Sequence, residues 1–167
     1  MTSNSGLRTA AALALGLGFG VVLGGAARAD DRLSVDANAA YLAKNAKAKG
    51  VVVVPGIQYR VIRSGSGAQP ARHDCVTVTY KGSLINGTVF DETKGNDTAT
   101  FGVSDVIGGW TEVLQLMHEG DDWEVTIPSG LAYGKSGTPG GEIPPNQTLI
   151  FEINLQKVFP APMGGCG

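Results

Sequence analysis

Residues 100–127, with the sequence TFGVSDVIGGWTEVLQLMHEGDDWEVTI, change their hydrophobic period twice. The first and last residues of this stretch alternate between apolar and polar, which predicts a strand on each side. Between them, apolar side chains recur at the helical spacing i, i+3, i+4 and i+7. We therefore expect a helix enclosed by strands, capped by Ser104 or Asp105 and ended by Gly120. The residues expected to form its buried face are Trp110, Val113, Leu114 and Met117.

The sequence on both sides of this stretch predicts further strands joined by tight turns. Pro55-Gly56 and Asn86-Gly87 are turn signals, and Asn-Gly is typical of a two-residue hairpin. The resulting fold class is α+β, with an antiparallel sheet wrapped on a single helix. Besides the two strands above, strands are expected around residues 57–62, 76–84, 88–91 and 148–158.

Composition limits the chain to one modest domain with appendages. Its 167 residues include 25 glycines and 8 prolines, but 43% of them are hydrophobic, which is too many for a disordered chain. A compact fold rich in turns satisfies both observations. The formal net charge of −2 gives no indication of nucleic-acid binding, and none is expected.

Residues 1–29 have the layout of a secretory signal peptide. Arg8 precedes an uncharged apolar stretch, and Ala27-Arg28-Ala29 is a small-x-small cleavage pattern. The alternative is an uncleaved membrane anchor, since the stretch of about 19 residues approaches spanning length. Five glycines between positions 16 and 25 dilute its hydrophobicity. We expect cleavage before Asp30, a periplasmic or secreted protein, and no membrane association after cleavage.

The two ends of the mature chain are expected to be accessory segments. Residues 30–50 predict a short helix and linker, with Ser34 or Asp36 as the N-cap, and residues 160–167 predict a flexible tail. Cys75 and Cys166 fit an oxidising compartment. Either they pair across a loop of roughly 90 residues, or Cys166 is a free thiol in the tail.

Several common catalytic chemistries are not indicated. His73 and His118 have no Cys or His at ligand spacing, so we predict no metal site. Residues 130–136 look like a phosphate loop, but position 129 is Ser where that pattern requires Gly. Ser129 also lacks the Gly-x-Ser-x-Gly context of a hydrolase nucleophile. No cofactor is expected.

Aromatic residues are concentrated in one part of the chain, with seven of the 11 between positions 80 and 151. Most aromatic side chains fill cores. However, Phe90 lies at a predicted strand end, Trp110 at a helix start and Tyr133 in a loop rich in Gly and Pro. Aromatics at such positions are typical of a lined pocket.

These aromatics belong to spaced motifs that resemble those of the FKBP-type peptidyl-prolyl cis-trans isomerases. The resemblance covers about residues 51–159. The lead-in, residues 41–62, is similar to the exported bacterial branch related to the macrophage infectivity potentiator. No long helical dimerisation arm of that branch is visible, so we expect a monomer. The motifs are Tyr80, Val89-Phe90-Asp91, Val106-Ile107-Gly108-Gly109-Trp110, Leu131-Ala132-Tyr133-Gly134, Ile143-Pro144-Pro145-Asn146 and Thr148-Leu149-Ile150-Phe151.

The resemblance implies an antiparallel half-barrel of about five to six strands on one short helix, forming an isomerase domain over residues 51–159. It implies an enzyme that accelerates rotation about X–Pro bonds in exported proteins and binds rapamycin-like macrolides. The residues implied as catalytic are Asp91, Tyr133, Phe90 and Trp110, and those implied as substrate-binding are Tyr80, Phe101, Val106, Ile107 and Phe151.

Two other functions are compatible with the same residues. A binding or chaperone module could use such a groove to hold unfolded chains, but the large apolar flap or dimerisation arm expected of one is not visible. A pocket kept only for structure is the third reading. The position of Tyr133 in a loop argues against it.

Overall fold

The computed structural model describes residues 31–166, so the predicted signal peptide lies outside the described residues. In the described part, no helix combines the length and apolar character needed to cross a bilayer. The helices are α1 (Val35–Asn45) and α2 (Gly108–Leu114), with 3-10 turns at Asp31–Leu33 and Ser129–Leu131. The strands are β1 (Val51–Val54), β2 (Ile57–Arg63), β3 (Asp74–Leu84), β4 (Val89–Glu92), β5 (Ala99–Gly102), β6 (Asp122–Ile127) and β7 (Leu149–Pro160).

The strands form one antiparallel sheet in the order β1-β2-β6-β7-β3-β4, with β5 also paired to β3. The long β3–β7 pair runs from Asp74 opposite Pro160 to Leu84 opposite Leu149. The other edge of β3 is shared by β5, along its first half, and β4, along its second half. The predicted α+β class is confirmed, with seven strands in the described residues. This number exceeds the expected five to six because the four valines of β1 pair as a separate strand with β2.

Helix α2 packs its predicted apolar face into the core. The four side chains expected at its buried face are all buried, although the helix ends at Leu114 and Met117 lies in the following turn. Gly109 permits this close approach, because a Cβ there would collide with Ile127 of β6. The buried residues of the helix and sheet form a single hydrophobic cluster.

The predicted caps of this helix are wrong. Its N-cap is Ile107, with no side-chain hydrogen bond, so neither Ser104 nor Asp105 caps it. Gly120 has a φ of +93° and ends the turns that follow the helix rather than the helix itself. Propensity identified suitable capping residues, but packing of Trp110 fixes where the helix begins.

Helix α1 forms as predicted and is capped by Ser34, whose hydroxyl accepts a hydrogen bond from the Ala37 N–H at 3.1 Å. Beyond β7, the chain returns to the sheet, and Cys166 forms a disulfide with Cys75 of β3. The two Cα atoms are 5.5 Å apart, and Cys75 is fully buried. The described tail is therefore attached covalently to the first residues of β3.

Candidate functional site

A cavity of about 280 Å³ opens between the helix α2, the sheet and the loop that follows β6. The nine residues singled out from the sequence all line it, together with one that was not. They come from β3, β4, β5, α2, β7 and two loops, so the fold gathers positions up to 71 residues apart. The lining residues are Tyr80, Phe90, Asp91, Phe101, Asp105, Val106, Ile107, Trp110, Tyr133 and Phe151.

Trp110 lies at the centre of the aromatic set and is only 4% exposed. The rings of Tyr80 and Phe151 each have their centroid 5.3 Å from that of Trp110, at interplanar angles of 89° and 87°. Phe101 meets Trp110 at 5.8 Å and 84°. Edge-to-face contacts of this kind are favoured by the aromatic quadrupole. These contacts fix the orientation of the Tyr80, Phe101 and Phe151 rings around the Trp110 indole.

The fourth aromatic wall depends on a missing side chain. Phe90 packs edge-on against Phe151, with ring centroids 5.6 Å apart. Both rings lean over Gly82 of β3, where a Cβ would lie 2.6 Å from Phe90 and 2.8 Å from Phe151. Gly82 therefore makes room for two walls of the cavity. Its role could not be predicted from the sequence, because nothing in its local pattern distinguishes Gly82 from a turn glycine.

Tyr80 and Asp91 form the polar contact at the cavity's edge. The Tyr80 hydroxyl donates a hydrogen bond to Asp91 Oδ2 at 2.5 Å. Burial, then this hydrogen bond and the negative charge of Asp91, raise the pKa of Tyr80 well above its usual 10.0. The phenol, which is protonated at neutral pH even without this shift, acts as a donor and holds the exposed carboxylate at the cavity's edge.

Tyr133 lies on the other side, with a 41% exposed side chain. It belongs to a loop without strands, but its backbone is fixed. The Tyr133 carbonyl accepts from the Gly137 N–H at 3.1 Å, and the next carbonyl, of Gly134, accepts from the Asn146 N–H at 2.8 Å. Two backbone hydrogen bonds thus hold the chain on which the Tyr133 ring is carried.

Asp105 is the lining residue that the sequence analysis did not assign to the site. Its capping chemistry predicts a helix cap, but it directly precedes Val106 and Ile107, and this adjacency is the sequence signal for a place in the site. Within residues 31–166, its carboxylate accepts one hydrogen bond, a local one from Ser104 at 3.2 Å. No lysine or arginine of the described part lines the cavity, whereas two acidic residues, Asp91 and Asp105, do.

The fold and this cavity can be set beside known proteins. Residues 66–156 match the family model described as FKBP-type peptidyl-prolyl cis-trans isomerase. The chain belongs to this family. Its antiparallel sheet and short α2 are the FKBP-like architecture that the motifs implied.

Two bacterial proteins illustrate how similar this FKBP-type chain is to curated relatives. It is 54% identical over 121 residues to "Outer membrane protein MIP" of Legionella longbeachae, covering 71% of this chain and 52% of that protein. It is 51% identical over 121 residues to the "FKBP-type 22 kDa peptidyl-prolyl cis-trans isomerase" of Escherichia coli (strain K12), covering 71% and 58%. The chain therefore spans little more than half the length of these relatives.

The solved structures agree with the sequence relatives. The crystal structure of FkpA from Escherichia coli superposes with a TM-score of 0.72 at 43% sequence identity. The match covers 76% of this chain and 60% of that one. The FKBP-type fold assigned here thus extends over most of the described residues.

Proposed function

We propose that this chain is a peptidyl-prolyl cis-trans isomerase that accelerates rotation about X–Pro bonds. The observation that carries the proposal is the aromatic cavity above Trp110, in which all nine residues implied by the family motifs meet. Its size and apolar walls suit a prolyl ring. The family match and the names of the curated relatives support the same activity.

The reaction requires a shaped site rather than a nucleophile. Rotation about an X–Pro bond faces a barrier of roughly 20 kcal/mol, which arises from amide resonance. A twisted amide has lost that resonance, so its carbonyl carries less charge and tolerates an apolar surrounding better than the planar form. A dry cavity that hydrogen-bonds the flanking groups therefore binds the twisted state preferentially.

Each of the nine residues implied by the motifs has a part in this scheme. The proline ring lies on Trp110, between the walls of Tyr80, Phe101, Phe90 and Phe151, with Val106 and Ile107 closing one side. The Ile107 N–H donates to no acceptor within residues 31–166 and is free to bind a substrate carbonyl. Asp91 and the Tyr133 hydroxyl orient the polar groups of the twisted amide.

The remaining expectations extend this proposal. Residues 1–29 act as a signal peptide, and the exported protein, a monomer, assists folding of other exported chains. The isomerase domain spans residues 51–159, after a helical lead-in and before a short tail.

Rapamycin-like macrolides occupy the same cavity, since they present a prolyl-like ring to the same apolar walls. A thermal-shift titration with such a macrolide tests this, and an unchanged melting temperature would contradict it.

The decisive measurement is exchange between cis and trans forms of short X–Pro peptides, followed by NMR with and without the purified protein. We expect acceleration at micromolar protein, reduced about tenfold by Tyr133→Phe through loss of one hydrogen bond formed in the transition state. Absence of any acceleration, together with retained binding of unfolded chains, would instead support the chaperone alternative.

A further inference from the structure

We propose that helix α1 positions the Tyr133 loop through a buried pair of amide side chains, Asn38 and Gln147. The helix lies before the residues matched by the family model and does not line the cavity. Its effect on catalysis rests on the isomerase function proposed above. The effect on the loop's structure stands independently of it.

Asn38 is a polar side chain on a short surface helix, but it is only 4% exposed. Its Nδ2 donates to the Ser34 carbonyl at 2.9 Å and to Gln147 Oε1 at 3.2 Å, a residue 109 positions away. Its Oδ1 accepts from the Thr148 N–H at 2.7 Å. Asn38 thus binds both a side chain and the backbone at the end of the loop that carries Tyr133.

Gln147 completes the attachment from the loop side and is 3% exposed. Its Nε2 donates to the Leu33 carbonyl at 3.0 Å and to the Pro145 carbonyl at 2.9 Å. The segment before α1 and the Pro145 turn are therefore joined through one amide. Because buried amides without partners are costly, the two side chains fix each other's orientation.

A short backbone path leads from this pair to the cavity. Asn146, which precedes Gln147, has a left-handed φ of +63° and donates its N–H to the Gly134 carbonyl at 2.8 Å. Gly134 directly follows Tyr133. The amide pair holds residues 145–148, and the Asn146 N–H holds the backbone beside Tyr133. Loss of the pair releases the restraint on Asn146 and lets the tyrosine shift.

The other end of α1 provides a matched control. Asn45 Nδ2 donates to Gln58 Oε1 at 2.9 Å and to Thr126 Oγ1 at 3.2 Å, both on the sheet. Asn45 therefore attaches the same helix without contacting the loop. If α1 contributed only to stability, replacing either asparagine should lower kcat/KM by the same factor. If α1 positions the loop, replacing Asn38 should lower kcat/KM and replacing Asn45 should not.

The test compares Asn38→Ala with Asn45→Ala in the whole chain. We expect Asn38→Ala to lower kcat/KM for an X–Pro peptide about tenfold, since small misplacements of catalytic groups have effects of this order or larger. Asn45→Ala should stay within about twofold of the parent protein. Equal losses in the two variants would overturn the proposal. If Asn38→Ala does not fold, Gln147→Ala removes the same attachment from the other side.

A double-mutant cycle with Tyr133→Phe asks whether the effect passes through that tyrosine. In the Tyr133→Phe background, the Asn38→Ala effect should shrink to less than about twofold, because coupled sites are not additive. Full additivity would show that Asn38 acts by another route and would overturn the positioning role.

Hydrogen exchange separates this proposal from the proposed function. The Asn146 amide should exchange at least about tenfold faster in Asn38→Ala than in Asn45→Ala, since local opening governs its protection. This readout needs no isomerase activity. If the parent protein fails to accelerate X–Pro exchange but Asn146 responds as expected, the proposed function fails and the loop attachment stands. An unchanged Asn146 rate overturns the attachment itself.

Discussion

The hydroxyl of Tyr80 and the carboxylate of Asp91 are joined by a 2.5 Å hydrogen bond at the edge of the aromatic cavity. The two residues lie on paired strands, β3 and β4. Tyr80 also packs its ring on Trp110. One side chain therefore connects the apolar floor of the cavity to its acidic rim, so the carboxylate cannot turn to solvent without losing a charge-assisted bond.

Replacing Asp91 should reduce activity without unfolding the protein. Asp91→Val removes both the charge and the acceptor for Tyr80, and we expect kcat/KM to fall about tenfold, the value of one charge-assisted hydrogen bond at an exposed site. Asp91→Asn keeps an acceptor oxygen for the Tyr80 hydroxyl, so its kcat/KM should fall less than that of Asp91→Val. The melting temperatures should stay close to the parent value, because Asp91 is exposed. Unaltered kcat/KM in Asp91→Val would remove Asp91 from the mechanism.

The Tyr80 phenol should make stability depend on pH in the alkaline range. Its pKa is raised in the folded state, chiefly by burial and then by Asp91. The folded protein thus holds this proton more tightly than the unfolded chain does. The resulting stability is fully present below pH 10.0 and is lost as the pH rises above it.

Urea unfolding at pH 8 and at several values above pH 10 tests this. The difference in unfolding free energy between the parent and Tyr80→Phe should shrink as the pH rises. Tyr133→Phe removes another hydroxyl from the cavity and serves as the control for loss of a phenol. A difference between parent and Tyr80→Phe that grows with pH would reverse the assigned direction.

Adding one methyl group at Gly82 should damage the cavity walls. Gly82→Ala places a Cβ against both Phe90 and Phe151, so at least one ring must move. We expect a loss of about 1–3 kcal/mol in the free energy of unfolding and a lower kcat/KM. Gly140→Ala is the matched control, since a Cβ there approaches only Glu142 Cγ, at 4.0 Å. Similar behaviour of the two variants would mean that the walls tolerate displacement.

The disulfide should contribute substantially to stability. Cys75 and Cys166 are 91 positions apart, and closing so long a loop restricts the unfolded chain strongly. Cys166→Ala should lower the free energy of unfolding by about 2–4 kcal/mol. Reduction of the parent protein should lower its free energy of unfolding by a similar amount and leave that of Cys166→Ala unchanged. If a reductant also lowered the free energy of unfolding of Cys166→Ala, the effect of reduction on the parent protein could not be assigned to the disulfide.

Asp105 should favour substrates with a basic residue beside the proline. It lines the cavity together with Asp91, and no lysine or arginine among residues 31–166 does so. Peptides carrying Lys next to the X–Pro bond should be preferred to those carrying Glu, and Asp105→Asn should reduce this preference about two- to fivefold, as for an exposed ion pair. Asp97→Asn, an exposed acid outside the cavity, is the control. An equal change in both variants would indicate a nonspecific effect of net charge.

Much of the fold could be predicted because its signals are local. Period-two segments and the i, i+3, i+4, i+7 pattern around Trp110 depend on neighbours within a few residues, and the structure confirms the buried helix face and the α+β class. The boundaries of α2 could not be predicted, because Ser104 and Asp105 have good capping chemistry while packing starts the helix at Gly108.

The site divides in the same way. Its aromatic residues carry their chemistry in the side chain and were visible in the motifs. Gly82 and Asn38 were not, because their roles arise from contacts with Phe151 and Gln147, which lie far away in sequence. Neither the space that Gly82 leaves nor the Asn38–Gln147 hydrogen bond, which joins residues 109 positions apart, produces a periodic pattern in the sequence.

The disulfide between Cys75 and Cys166 also determines how the chain responds to a pulling force. All residues that line the cavity lie between these two positions, inside one covalent ring. A force applied between α1 and the chain's last described residue passes from Cys75 to Cys166 through the sulfur atoms. The backbone of residues 76–165, which carries the cavity, cannot be drawn out by such a force, because the S–S bond limits the distance between Cys75 and Cys166. Until the disulfide is reduced, only the segment that precedes Cys75 can be extended.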